Sequence, residues 1–251
     1  MTNILKIAYF EIKRLQYLWI IAAIVYLLAT IYTTNNNIQS LMEQNPTFTP
    51  EVLITSVNAG LSIGIVTMFI SSLLVWYQDW YRQGRMVSRW LAGPFTRSQV
   101  YWGKFFSLIY FFALALVFIY LTSYLGHYLL SLILGSSYDK SASVHLIFQF
   151  SFWRNYFPEN ILLALLKIGA WISLIPLSFL LSLAERAYSW KGWILTAVCY
   201  IIFAYSLSQL VHWGIMPSHI RLDSFYYCLI IILGMVCAYL GSQHLTKKLH
   251  I

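Results

Sequence analysis

Few residues in this chain could do chemistry, and they are scattered. His127 and His212 fall near the ends of long apolar stretches, and His145 and His219 lie in the more polar segments beside them. Imidazoles gathered on one face could ligate a haem or a metal. No pair of them has short ligand spacing, so hydrogen-bonding histidines at a membrane interface are the plainer reading, and no metal site is expected. The chain has no G-x-S-x-G with a matching histidine and no H-E-x-x-H, so no catalytic residue is assigned. Aspartate and glutamate are absent from the middles of the apolar stretches, which disfavours a proton relay or a carboxylate metal site. Lys167 stands inside one such stretch, where it can snorkel outward or face a polar pathway. No G-x-x-x-x-G-K-[ST] loop occurs, so this chain binds no cofactor of its own, and any ATP would be held by another chain.

The elements that carry these residues follow from composition. The chain has 251 residues, 60% hydrophobic, 18% aromatic and only 10% charged. A soluble domain carries about 25% charge and cannot hide so much apolar surface. A soluble globular protein and a disordered chain are both excluded. An all-α integral membrane protein remains, read as one domain over residues 1–251.

A crossing helix needs about 20 apolar residues. Six stretches qualify, near residues 17–33, 52–77, 105–134, 160–183, 193–213 and 225–241. They are continuous rather than alternating, which favours helices over a barrel. No A-x-A pattern follows the first, so it is expected to be a permanent helix. Cys199, Cys228 and Cys237 all lie in apolar runs and read as buried thiols, not a disulfide framework.

Orientation follows from the basic residues. On one side are Lys6, Lys13 and Arg14; Arg82, Arg85, Arg89, Arg97 and Lys104; Arg186 and Lys191; and Lys247 and Lys248. The other side has only Lys140, Arg154 and Arg221. Both termini are expected to be cytoplasmic. The net charge of +8 is largely this bias, so no nucleic-acid partner is inferred from it.

Residues 3–16 form a candidate amphipathic helix. Ile4, Leu5, Ala8, Ile12 and Leu15 share a face, with Lys6, Lys13 and Arg14 away from it. Such a helix lies along the membrane surface with its bases near lipid headgroups. The alternative is a plain topology signal. In the second stretch Gly60 and Gly64 make a G-x-x-x-G pair suited to close helix packing, within the chain or between chains. Pro176 in the fourth is expected to kink it. The aromatic residues of 135–158 fit a headgroup-level belt.

Between the second and third stretches, 78–104 reads QDWYRQGRMVSRWLAGPFTRSQVYWGK. Residues 82–92 can form a short helix ended by Gly93-Pro94. Arg85 and Arg89 share a side, with Trp90 and Leu91 adjacent, and large apolar groups are not needed by a loop that only fixes orientation.

This organisation resembles a type-2 ABC exporter permease. The resemblance rests on the six spans with both ends inside, the surface helix before the first span and the basic loop after the second. Its most specific part is Leu91-Ala92-Gly93-Pro94-Phe95-Thr96-Arg97, then Val100, Tyr101, Gly103 and Lys104, with seven residues from Arg97 to Lys104. Gln78-Asp79 departs from the glutamate-rich loop start common in that family, and the segment between the fifth and sixth stretches is short. The resemblance implies an elbow helix at 3–16 and a coupling helix at 82–92 whose Arg82, Arg85, Arg89, Trp90 and Leu91 dock an ATPase subunit. It implies ATP and Mg on that partner, a second permease chain of the same or another kind, a lipid bilayer around both, and a bacterial plasma membrane. The cargo would be amphipathic: a peptide antibiotic, a lipid-linked molecule or a drug. Arg97 and Lys104, beyond Pro94, are expected to hold the loop against headgroups and the start of the third span. A non-transporting membrane partner, such as a sensor or immunity protein, and an intramembrane enzyme or haem-handling protein stay open as other classes.

Overall fold

A computed structural model describes residues 3–42, 53–81, 95–135, 161–212 and 220–245. Every regular element among them is helical. We number them α1 (Asn3–Met42), α2 (Ile54–Tyr81), α3 (Arg97–Ile133), α4 (Ile161–His212) and α5 (Ile220–Tyr239), the last continuing into a π-helical turn, Leu240–Leu245. Four helical segments are long and apolar enough to cross a membrane: Asn3–Gln39, Ala59–Asp79, Arg97–Ile133 and Ile168–Tyr188. A shorter apolar segment spans Tyr227–Gln243.

One of the expected boundaries does not appear as a break, and a second is a turn within helical residues. Residues 3–16 are the opening turns of α1, not a separate element. Neither glycine nor proline occurs from Asn3 to Met42, so nothing interrupts the hydrogen-bond ladder where a hinge was expected. The face also differs from the expected stripe. Ile7, Ala8, Glu11 and Leu15 are buried, whereas Leu5 is half exposed.

The polar segment expected between the fourth and fifth stretches is helical too, because Ala184–Lys191 contains only residues a helix accepts. Yet α4, with 52 residues, would measure about 78 Å if straight, more than twice the hydrocarbon core. It is not straight. A Cβ on Gly192 would lie 2.9 Å from the carbonyl carbon of Ala184 and 2.8 Å from Cβ of Tyr188. Residues eight apart in a straight helix are separated by about 12 Å. The chain therefore doubles back over 184–192, and glycine is what allows so close an approach. Pro176 sits inside α4 without ending it, although it leaves the Ile172 carbonyl without its usual helical donor.

The chain forms two compact units. One comprises Met1–Leu15, Phe69–Ile109 and Leu165–Ile251. Its aromatic centre is Tyr101, with Trp76 at 6.2 Å and Phe179 at 5.3 Å between ring centroids. Gly241 lies against the same tyrosine ring.

The other unit comprises Gln16–Met68 and Tyr110–Ala164. Its core is Tyr26, Leu53, Val57, Leu61, Ile119 and Leu130. In both, buried hydroxyls turn back onto their own helix. Ser123 donates to Ile119 O at 2.8 Å, and Ser178 to Ile175 O at 2.8 Å. This back-bonding satisfies most of the buried serines in an apolar setting, although Ser71 Oγ has no partner among the described residues. Outward-facing Leu28, Ile31, Leu132 and Ile133 are each more than 60% exposed, a surface suited to lipid and not to water.

Candidate functional site: a buried four-charge network

The strongest concentration of chemistry lies in the first unit, where the start of α1, the end of α2 and the start of α3 meet. Glu11 and Arg14 come from α1, Asp79 from α2 and Lys104 from α3. Lys104 and Glu11 have no solvent-exposed side-chain surface, Asp79 has 1% and Arg14 has 13%. Two anions and two cations leave the cluster neutral.

The Lys104 ammonium makes two hydrogen bonds, to Glu11 Oε1 at 2.7 Å and the Val75 carbonyl at 2.9 Å, and an ion pair with Asp79 Oδ2 at 2.6 Å that is not aligned for a hydrogen bond. The Trp76 ring closes the remaining side, with its centroid 5.0 Å from Nζ. Arg14 donates from Nη1 to Asp79 Oδ1 at 2.5 Å and from Nη2 to the Val75 carbonyl at 2.7 Å. The same Nη2 lies 2.9 Å from Glu11 Oε2, close enough for an ion pair though not aligned for a hydrogen bond. Both cations thus converge on a carbonyl in the last turns of α2, the negative end of its dipole. A buried charge needs an opposite partner, and here every charge has one, while Glu11 Oε2, Asp79 Oδ2 and Arg14 Nε have no aligned hydrogen-bond partner among the described residues.

Local sequence explains why Lys104 arrives there. Thr96 caps α3: its Oγ1 accepts from Gln99 N at 3.3 Å, while Gln99 Oε1 accepts from Thr96 N at 3.0 Å. This reciprocal pair is a capping box, and it sets where α3 begins. Gly103 then lets α1 come close. A Cβ there would fall 2.6 Å from Cγ2 of Ile7 and 3.2 Å from the carbonyl oxygen of Ile4. With the backbones in near contact, Glu11, one turn beyond Ile7, reaches the lysine that follows Gly103. Val100 and Tyr101 are buried beside them. A further link ties α2 to α4, where the Tyr77 hydroxyl donates to Glu185.

The residues singled out from sequence therefore separate. Arg82, Arg85, Arg89, Trp90, Leu91 and Pro94 lie outside the described residues. Thr96 is exposed at the cap, and Arg97 is the first, half-buried residue of α3. Lys104 was expected at the headgroups. It is instead wholly buried, because Glu11 and Asp79 supply the counter-charges that make burial tolerable. Arg14 likewise turns inward to Asp79 rather than outward to lipid.

Gly60 and Gly64 do not act as a pair. Gly60 is filled by the Tyr26 ring of the same chain, whose Cδ2 lies 2.9 Å from where a Cβ would stand, while Gly64 has open space. The backbone of Lys167 is in α4, and Pro176 is buried.

Glu11 and Asp79 are the functional candidates that sequence reasoning passed over. The chain has only eight acidic residues. Two of them on the side crowded with bases, each next to large apolar residues, were the available signal.

Chemically the network offers no free base or nucleophile, since Lys104 is held by two hydrogen bonds and two ion pairs and both carboxylates are ion-paired. Its capacity is mechanical: it ties three helices together at one end. Fold and site together define an all-helical protein with several helices able to span a membrane. No family model, curated protein or solved structure matches the chain.

Proposed function

We propose that this chain is the membrane-spanning subunit of an ATP-driven exporter of the ABC class, moving an amphipathic substrate with energy from a separate ATPase. The observation that carries the reading is the four-charge network beside the basic segment 82–94. In sequence that segment follows Asp79 by three residues and leads into α3, which begins seven residues before Lys104. A push on it passes at once into α1, α2 and α3, because Asp79 and Lys104 are bonded to each other and to α1. A docking lever needs such a rigid base. The motif residues Thr96, Gly103 and Lys104 acquire physical roles in building it: cap, close approach and ionic anchor.

In this reading the doubling-back of α4 separates a fourth and a fifth span, and Tyr227–Gln243 supplies a sixth. The opening turns of α1 serve as the elbow at the inner interface. Both termini are cytoplasmic, as the excess of Lys and Arg on that side requires. Two such chains would pair, each with an ATPase subunit that holds ATP and Mg.

The test is co-purification with a co-expressed candidate ABC ATPase subunit. Arg89→Ala with Trp90→Ala is expected to weaken ATPase recovery at least tenfold, since losing an aromatic–arginine hot spot costs ~2 kcal/mol or more. Equal recovery from variant and parent refutes the docking site. Labelling of Ser88→Cys and Lys140→Cys from outside the cell tests the orientation separately, with only the second expected to react.

A further inference from the structure

Charges at one end of the first unit are sorted by exposure. Three acids lie there among the described residues, and each is engaged within the protein. Glu11 and Asp79 belong to the buried network, and Glu185 accepts from the Tyr77 hydroxyl. Arg14 and Lys104 are drawn inward with them. Lys6, Lys13, Arg186 and Lys191 are instead all exposed. The Tyr77–Glu185 contact sets the turn at 184–192 against the same last turns of α2 that hold α1, so both groups of exposed bases belong to one end. With acids turned in and bases turned out, that end presents positive charge to its surroundings. Exposed aromatic residues stand between the bases in sequence: Tyr9 is 54% exposed, Tyr188 49% and Trp190 64%.

Two features fix the depth of this surface. Along α1 the exposed face changes from Lys6, Tyr9 and Lys13 to Ile20, Ile21 and Ile24, each of the three isoleucines more than half exposed. Lys13 and Ile20 are seven residues apart, or about 10 Å. A helix face that passes from charge to hydrocarbon over that distance passes from headgroups to acyl chains. Lys13 also leans back toward the charged end, with its ammonium 5.1 Å from the centroid of the Tyr9 ring, one turn nearer the N-terminus. Tyrosine and tryptophan favour the same depth. Charge alone would suit an acidic protein as well. The unbroken run from bases into an exposed apolar face on one helix favours lipid, which offers phosphate and hydrocarbon in that order.

We infer that this end of the first unit binds anionic phospholipids of the surrounding leaflet, with Lys6, Lys13 and Lys191 meeting the negative headgroups and Tyr9, Tyr188 and Trp190 seated just beneath them. A zwitterionic headgroup brings its own cation and is bound less well. The surface is independent of the exporter reading.

The test is native mass spectrometry of the delipidated full chain in detergent, titrated with phosphatidylglycerol and with phosphatidylcholine of the same acyl chains. The parent is expected to bind phosphatidylglycerol at least fivefold more tightly, the factor corresponding to ~1 kcal/mol for one base near an anionic surface. Lys6→Gln with Lys13→Gln and Lys191→Gln is expected to bring the two lipids to equal affinity while keeping the thermal unfolding transition, since all three side chains are exposed. Lys140→Gln with Arg154→Gln and Arg221→Gln removes the same charge from the residues assigned to the other side of the membrane, and is expected to leave the preference intact. Three results would each overturn the assignment: equal affinities in the parent, an undiminished preference in the folded lysine variant, or an equal loss in the second triple variant. An undiminished preference together with lost recovery of a co-expressed ATPase would give the face to a protein instead. If the lysine triple variant does not fold, Lys13→Gln alone decides, with a preference about fivefold lower expected and an unchanged one overturning the assignment.

Discussion

Removing Lys104 is the most direct test of the buried network. Lys104→Met keeps the side-chain length and much of the volume, so packing changes little. Electrostatically the change is large. The cluster passes from neutral to a net charge of −1, with no exposed surface on Glu11 and 1% on Asp79. Glu11 Oε1 and Asp79 Oδ2 lose the ammonium at 2.7 and 2.6 Å, and the Val75 carbonyl loses a donor at 2.9 Å. Breaking a buried pair by removing one partner costs ~3–5 kcal/mol. Adding Glu11→Gln restores neutrality, because Arg14 and Asp79 remain as a pair. The double variant should therefore recover about 2 kcal/mol relative to the sum of the single changes, within the range of coupling for residues in contact. The assay is reversible denaturation of the purified protein in detergent, run as a double-mutant cycle. If Lys104→Met unfolds within 1 kcal/mol of the parent, or if the two changes are additive, then the network is not what joins these helices.

Three further expectations follow from particular contacts. Gly103→Ala should destabilise by ~1–3 kcal/mol through overpacking, and Ile7→Ala should relieve part of that loss in the same denaturation assay, since Ile7 is what the new methyl meets. Gly60→Ala should lower the thermal midpoint while Gly64→Ala leaves it nearly unchanged, because only Gly60 is filled by Tyr26; equal shifts would contradict that packing. Thr96→Ala should cost ~1 kcal/mol by removing the cap of α3, and Thr96→Ser should restore it; amide exchange at Gln99 reports the loss directly.

Much of the helical content was legible in the chain alone. The stretch at 17–33 falls within α1, and all but the ends of those at 52–77 and 105–134 coincide with α2 and α3, because twenty or so apolar residues without proline must satisfy their backbone groups internally. The start of α3 was legible too, in Thr96 and Gln99 three residues apart. Polarity alone did not end a helix near Gln16, where no breaker occurs and α1 runs on, whereas at Ala184–Lys191 the polar segment marks the place where the chain turns back and Gly192 comes against Ala184.

The abundance of apolar residues and the presence of long apolar helices are properties of segments, and the amino-acid sequence determines them without reference to partners. Which charges are buried is a property of pairs. Lys104 and Glu11 are 93 positions apart, and Arg14 and Asp79 are 65 apart. No spacing rule connects residues at such separations, and each in isolation reads as a base or acid near a membrane surface. Only when Gly103 lets α1 approach α3, and the last turns of α2 bring Asp79 and the Val75 carbonyl between them, does a solvated lysine become an ionic anchor. The same holds for Gly60 and Gly64, identical in sequence and opposite in environment, because the tertiary structure places the Tyr26 ring against one of them and open space beside the other.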